Sequence, residues 1–290
     1  MTIKGPFHRV GVIGKFRDAS VGPTVTALCE YLRTYNRDVV LDESTAQLVP
    51  ELKHEALSLS EIGQQCDLSV VVGGDGSILH TARTLVDYDI PLVGINSGRL
   101  GFLADISPEF MLETMKEILQ GQYQMEERFL LEAQVIREEE VITRVSALND
   151  VVVHKWNVAR MIEFETYIND MFVNRQRSDG LIIATPTGST AYALSGGGPL
   201  VYPTLDAMVL VPICPPTLSN RPIVVDGGSQ IEIIISPNTD HSHMTCDGQI
   251  HFGMQYGDRL QIKKKEQTLK LIHPMKHNHF ELLRAKLKWG

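Results

Sequence analysis

The sequence predicts an α/β domain built on a parallel sheet, followed by a second, β-rich domain. Three observations carry this prediction. Short apolar runs alternate with helical patterns over roughly the first hundred residues. After Arg128 the apolar period changes to two, as in half-buried strands. Within the first of these stretches lies a buried-strand signature, Val70-Val71-Val72, which opens into Gly73-Gly74-Asp75-Gly76 and then into the helix-like Ser77-Ile78-Leu79.

Taken in order, residues 8–13 read as a first parallel strand and residues 21–35 as a helix, with Val21, Val25, Leu28 and Leu32 at helical spacing. Residues 38–41 are a short second strand. A polar connection and a short helix at 60–65 lead to the glycine-aspartate strand, whose following helix runs to Tyr88. Residues 91–96 form another strand, residues 108–119 a connecting helix, and Gly121 its stop. Strands alternating with helices imply ligands at the carboxyl ends of the strands. The loop at residues 96–102 therefore falls beside Asp75, with Arg99 able to meet a phosphate. Residues 130–137, 147–154, 162–168, 180–184, 208–211, 231–236 and 259–272 read as strands of the second domain, and Asn169-Asp170 as a hairpin turn. The expected boundaries are 1–105 and 106–275, with the tail at 276–290, whose Leu282, Leu283 and Leu287 have helical spacing, docking back on the first domain.

Composition limits the function. The chain has 290 residues, 43% hydrophobic and 21% charged, with a net charge of −8. That describes a globular chain and argues against disorder and against binding to nucleic acid or an anionic membrane. Cys29, Cys66, Cys214 and Cys246 have neither metal-ligand nor redox spacing and read as free thiols in a reducing compartment. With no signal-peptide pattern and no apolar run of spanning length, the expected location is the cytoplasm.

Two stretches carry chemistry. Glycines at 73, 74 and 76 allow a ligand to approach the backbone, and the helix start favours an anion. Asp75 is the odd member, since a carboxylate repels phosphate; it suits either a metal ion or a proton taken from a hydroxyl. The same four residues also make a good turn. The second stretch, residues 185–199, is a run of small hydroxyls and glycines in which Tyr192 and Leu194 are the only large side chains. It is too poor in apolar residues for a core and long for a plain connection. Its hydroxyls and amides suit ribose and phosphate, and Tyr192 offers a flat face to a base. Upstream, Asn149-Asp150 at a strand start is a natural pair for two ribose hydroxyls. Cys246-Asp247-Gly248-Gln249 reads as a late turn. The phosphate-loop lysine motif, the dinucleotide glycine fingerprint after the first strand, the zinc-protease His-Glu-x-x-His motif and the Gly-x-Ser-x-Gly elbow are all missing from the sequence.

Together these motifs resemble the NAD kinase family in its bacterial form. The correspondence rests on Gly73-Gly74-Asp75-Gly76, on the Asn-x-Gly-x-Leu-Gly-Phe pattern from Asn96, on Asn149-Asp150, and on Asp179-Gly180 with residues 185–199. The matches keep their order from residue 10 to about 275. Asp150 stands where many members have Glu, and Gly196 where Ala is common. The resemblance implies a Rossmann-like α/β domain and an all-β, sandwich-like, NAD-binding domain with the active site in the cleft between them. The implied reaction is transfer of the ATP γ-phosphoryl group to the 2′-hydroxyl of the adenosine ribose of NAD, giving NADP and ADP. Asp75 is then the expected proton acceptor, and Gly74, Asp75 and Gly76 are expected to bind nucleotide. The resemblance also implies that Asn149, Asp150, Arg160, Arg177, Asp179, Thr190, Ala191, Tyr192, Ala193, Leu194, Ser195 and Gln249 bind the dinucleotide. It further implies a divalent cation, Mg²⁺ above others, and a homodimer or homotetramer. A lipid or sugar kinase sharing the glycine-aspartate loop would leave residues 185–199 unexplained. A non-catalytic dinucleotide sensor would have no need of Asp75.

Overall fold

The buried β-branched runs of the N-terminal third form a parallel sheet. In the computed structural model, which describes residues 6–98, 100–156, 160–217, 219–237, 239 and 242–289, the chain divides into two units, Met1–Glu127 with Leu269–Gly290, and Arg128–Thr268. The first unit begins with β1 (Arg9–Gly14), α1 (Gly22–Thr34), β2 (Asp38–Asp42), α2 (Glu43–Leu48), β3 (Glu55–Leu57) and α3 (Leu59–Gln65). It continues with β4 (Leu68–Gly73), α4 (Asp75–Leu85), β5 (Leu92–Asn96) and α5 (Met111–Leu119). The strands stand in the order β5-β4-β1-β2-β3, every pair parallel. Every residue of β4 and β5 is buried, which explains why they read as unbroken apolar runs. On one face Val10, Val12, Val70 and Val72 pack with Val25, Leu28 and Leu32 of α1 and with Met115 and Ile118 of α5.

Local chemistry starts the helices. Pro23 sits in the first turn of α1. Ser58 and Glu61 form a capping box on α3, each side chain bonded to the other's backbone N–H. The stretch after β2, expected as a polar connection, contains α2 and β3. Asp42 caps α2 by accepting the N–H groups of Ser44 and Thr45, and β3 is a three-residue edge strand with two exposed positions. Neither is long or apolar enough to show a period.

The second unit is antiparallel. Its elements are β6 (Gln124–Arg137, entering from the first unit), β7 (Glu140–Ala147), β8 (Asp150–Lys155), β9 (Ile162–Ile168), β10 (Met171–Ser178) and β11 (Gly180–Ala184). These are followed by α6 (Tyr192–Ser195), β12 (Ala207–Ile213), β13 (Ile223–Asp226), β14 (Ile231–Ile235), β15 (Ser242–Cys246), β16 (Ile250–Met254) and β17 (Arg259–His273). One sheet runs β13-β12-β11-β8-β15-β16. The other contains β10-β9-β14-β17, with β6 pairing β17 and β7. Val151, Val153, Leu181 and Ile183 of the first sheet share a core with Leu131, Phe164, Ile233 and Leu260 of the second, the packing of a β-sandwich. The turn Asn169-Asp170 has φ of 51° and 62°, as a two-residue hairpin turn requires.

The strand expected at 147–154 is β8, which starts only at Asp150; Ala147 ends β7, and Leu148-Asn149 part the two. β7 shows no alternation in sequence, because Glu140, Val141 and Ile142 are exposed in succession. The stretch at 185–199, expected to contribute nothing to a core, places Ala193 against Val152, Ile182, Val209 and Val211 on the outer face of the six-stranded sheet, with Val201 following. The last residues of β17, Leu271 and Ile272, pair in parallel with Leu92 and Val93 of β5. Helix α7 (His279–Leu287), capped by Asn278, buries Leu282 and Leu283. The four cysteines are free, and burial pushes the Cys29 thiol up to about 12 and that of Cys66 up to about 11, which makes both poor nucleophiles. Among the described residues no helix is long and apolar enough to cross a membrane.

Candidate functional site

In the first unit the site is built on Asp75. Gly73 closes β4, Gly74 caps α4 in an extended conformation, and Asp75 is the first helical residue, where a carboxylate complements the helix dipole. The half-buried carboxylate is gripped from the other side by a loop. Its Oδ2 accepts the Phe102 N–H at 2.8 Å, and its Oδ1 accepts those of Leu103 and Ala104 at 2.9 and 3.1 Å. The amides of this loop therefore face the aspartate rather than a bound anion. A carboxylate oxygen has two acceptor positions, so Oδ1 is filled and Oδ2 retains one.

The loop is shaped for this contact. Asn96, buried at the end of β5, accepts the Gly98 N–H through Oδ1 at 2.8 Å, and Gly101 donates to the Ala104 carbonyl at 3.0 Å. A Cβ on Gly101 would strike Oδ1 of Asp75, so only glycine allows the loop to close on the carboxylate. Arg99 lies outside the described residues.

In the second unit the organiser is Asp247. It occupies a turn with Gly248, both at positive φ (52° and 63°), between β15 and β16. Its carboxylate accepts the N–H groups of Asn149 (2.7 Å), Leu148 (3.1 Å) and Asp150 (3.3 Å), which fixes the start of β8. Burial and, second, the charge of Asp247 push the Asp150 carboxyl up to about 7. Thr185 supports the same segment. Its Oγ1 donates to the Leu148 carbonyl at 2.6 Å and its N–H to the Asn149 carbonyl at 2.9 Å. Ser189 donates its hydroxyl to the Pro186 carbonyl at 2.7 Å and accepts the Val201 N–H at 3.0 Å, so the small-residue stretch is tied down by its own polar groups.

A pocket of about 380 Å³ opens over this framework. Asp150, Val152 and His154 line it from alternate positions of β8, and Asp179, Tyr192 and Thr245 complete much of the wall. Asp179 is paired with Lys155 at 2.7 Å, and Tyr192, 47% exposed, supplies an open ring. The pocket offers carboxylates to hydroxyl groups, a flat face to a base, and one ammonium group, Lys155, already paired with Asp179.

Of the residues expected from sequence, Asp150, Asp179 and Tyr192 come together at this pocket, with Asn149 beside it in the Asp247 cradle. Thr190 donates its hydroxyl to the Thr187 carbonyl at 3.1 Å within a short 3-10 helix (Thr187–Thr190), Ala191 joins this helix to α6, and the Ala193 methyl is fully buried in the core. Leu194 is half-buried and Ser195 exposed. Arg160 is exposed, as is Arg177 on β10, and neither lines the pocket; Gln249 ends the Asp247 turn. Sequence reasoning missed Asp247 as a cradle, together with Lys155, His154 and His251. The two-residue period running on from Asp150 points to Val152 and His154; no local signal distinguishes the others.

Gly188 is the tightest joint of this framework, because a Cβ there would strike the backbone of Asn149. Gly188→Ala is therefore expected to destabilise the second unit by about 1–3 kcal/mol. Urea unfolding of wild type and variant checks this, and unchanged stability would refute it.

Two family models match the chain: the ATP-NAD kinase N-terminal domain over residues 10–123 and the ATP-NAD kinase C-terminal domain over residues 148–274. The chain is 49% identical over 286 residues to the NAD kinase of Nitrosococcus oceani, covering 98% of each. It is 50% identical over 285 residues to that of Azotobacter vinelandii, covering 98% of this chain and 97% of the relative. Among solved structures, yeast NADH kinase complexed with NADH superposes with a TM-score of 0.87 at 24% identity, covering 98% of this chain and 88% of that one. An NAD kinase from Archaeoglobus fulgidus in complex with ATP gives 0.75 at 29%, covering 97% and 98%.

Proposed function

Because the chain belongs to the NAD kinase family, we propose a mechanism in which Asp75 is the proton acceptor. The chain is a phosphotransferase acting on NAD with ATP. The 2′-oxygen of the adenosine ribose forms a bond to the γ-phosphorus, the bond to the β,γ-bridging oxygen breaks, and ADP and NADP leave. The hydroxyl proton passes to Oδ2 of Asp75. The observation that supports this assignment is the carboxylate's hydrogen bonding. Three backbone N–H groups fix it in place and leave one acceptor position on Oδ2, a positioned base with a single direction of approach.

Asn149 and Asp150 receive ribose hydroxyls, Asp179 a further polar edge, and Tyr192 a base face. Thr190, Ala191, Leu194, Ser195, Arg160, Arg177 and Gln249 complete the dinucleotide contacts, together with the backbone of Ala193, whose methyl is in the core. The divalent cation is a component of this proposal. Among the described residues, the group that gathers three possible metal ligands contains two histidines. It does not fit Mg²⁺, which prefers oxygen and is commonly held by nucleotide phosphates. The cation thus enters with ATP, and the protein's own contribution is positioning and proton removal.

The test is NADP formation from NAD, ATP and Mg²⁺, coupled to an NADP-specific dehydrogenase. A wild-type signal requiring both nucleotides is expected. Absence of signal while calorimetry still shows NAD binding would overturn the reaction and favour a dinucleotide sensor.

A further inference from the structure

A second constellation in the first unit takes no part in the chemistry above. Strand β17 ends at His273, Pro274 follows it, and the His277 N–H closes a turn on the Pro274 carbonyl at 2.9 Å. This turn stacks the two imidazoles with centroids 4.0 Å apart and planes at 24°. Both face Asp105: the Nδ1 atoms of His273 and His277 lie 2.8 and 2.6 Å from its Oδ2. The side chains are 1%, 7% and 7% exposed for His273, His277 and Asp105. Hydrogen bonding within the triad is incomplete, since Oδ1 of Asp105 and the Nε2 atoms of both histidines are buried with no hydrogen-bond partner. The orphaned Oδ1 belongs to the carboxylate that both imidazoles face, an open buried lone-pair donor that a cation between the three side chains would satisfy.

We propose that Asp105, His273 and His277 form a binding site for one divalent transition-metal ion, zinc fitting the donor set. The ligand atoms all lie within 4.8 Å of one another, and zinc bonds of about 2.0–2.2 Å to nitrogen and oxygen span such a triangle with small adjustments. Two imidazoles and a carboxylate suit zinc and disfavour Mg²⁺ and Ca²⁺. Ligation through Nδ1 moves each neutral ring's proton to Nε2. His273 then directs an N–H toward Glu126, whose Oε2 lies 3.9 Å away, the outer-shell carboxylate that metal-bound histidines commonly use. The ion would join the C-terminal segment to the loop that holds Asp75, because Asp105 directly follows Ala104, a donor to that carboxylate.

The full-length protein, stripped with chelator and desalted, would be loaded with Zn²⁺ alone and, separately, with Co²⁺. The expected result is one zinc per chain by mass spectrometry after desalting, with visible cobalt bands of a low-coordinate site. Both should be lost in His277→Gln, which keeps a polar side chain and whose fold is verified by circular dichroism. Thermal unfolding should shift upward with zinc in the wild type only. Failure of the wild type to retain zinc would overturn the proposal, as would equal retention by His277→Gln. If His277→Gln does not fold, His277→Ala takes its place, and the wild-type retention and cobalt spectrum still decide.

Discussion

Asp75→Asn is expected to lower turnover by about 100- to 10,000-fold, the range a positioned general base contributes, while leaving NAD binding within a few-fold of wild type. An amide accepts no proton from the 2′-hydroxyl, so the loss falls on kcat. The same substitution carries a separate structural cost. The carbonyl oxygen of the new amide can replace Oδ1 and keep the Leu103 and Ala104 N–H groups, but the amide NH₂ then confronts the Phe102 N–H, donor against donor. That mismatch is worth about 1–3 kcal/mol of stability. Steady-state kinetics, calorimetry and thermal unfolding on one preparation separate the effects. A fall in turnover of less than tenfold, with lowered stability, would make Asp75 a latch for its loop and not the base.

Asp247→Ala should produce the largest change in stability. It leaves three N–H groups at the start of β8 without their acceptor, a loss of about 3 kcal/mol or more. It also removes the like charge facing Asp150. In the wild type Asp150 is raised to about 7 in the folded state from an ordinary 3.8. The folded chain therefore binds more protons than the unfolded chain between these values. This site's contribution favours the folded state below about pH 4 and is lost as pH rises to about 7, amounting to on the order of 4 kcal/mol. Asp150→Asn should abolish that slope, and Asp247→Ala should narrow its window, since burial remains while the charge is gone. Urea unfolding between pH 4 and 8 reads both. A wild-type stability that tracks Asp150→Asn across this range would refute the assignment.

What the sequence revealed follows from which interactions leave a periodic trace. β4, β5 and β11 are buried along their whole length and β8 over its first four residues, so apolar runs alone place them to within a few residues. β7 and β3 are held by backbone pairing and expose residues in succession, Val141 with Ile142 and Glu55 with Ala56, so no period marks them. The glycine-aspartate loop was legible as strand, turn and helix. The grip of residues 102–104 on Asp75 was not, because three backbone amides donate whatever side chains they carry. Asp247 was visible only as a turn residue; its role depends on strands β8 and β15 lying side by side, although the two residues of each contact are nearly a hundred positions apart.

The first unit is interrupted in sequence, its sheet beginning at Arg9 and receiving Leu271 and Ile272 only after the whole second unit has been made. On the ribosome, the side of β5 that those residues will cover stays open while residues 128–268 are synthesised, at about 5–20 residues per second. For many seconds, then, the nascent chain presents an unpaired apolar strand edge, the feature that invites wrong pairing between chains. The second unit, contiguous in sequence, faces no such wait. Release of the C-terminal segment from the exit tunnel is thus the event that completes the half of the protein carrying Asp75. Premature termination anywhere before residue 269 would leave that edge exposed permanently, which makes truncated chains natural clients for chaperones and proteases.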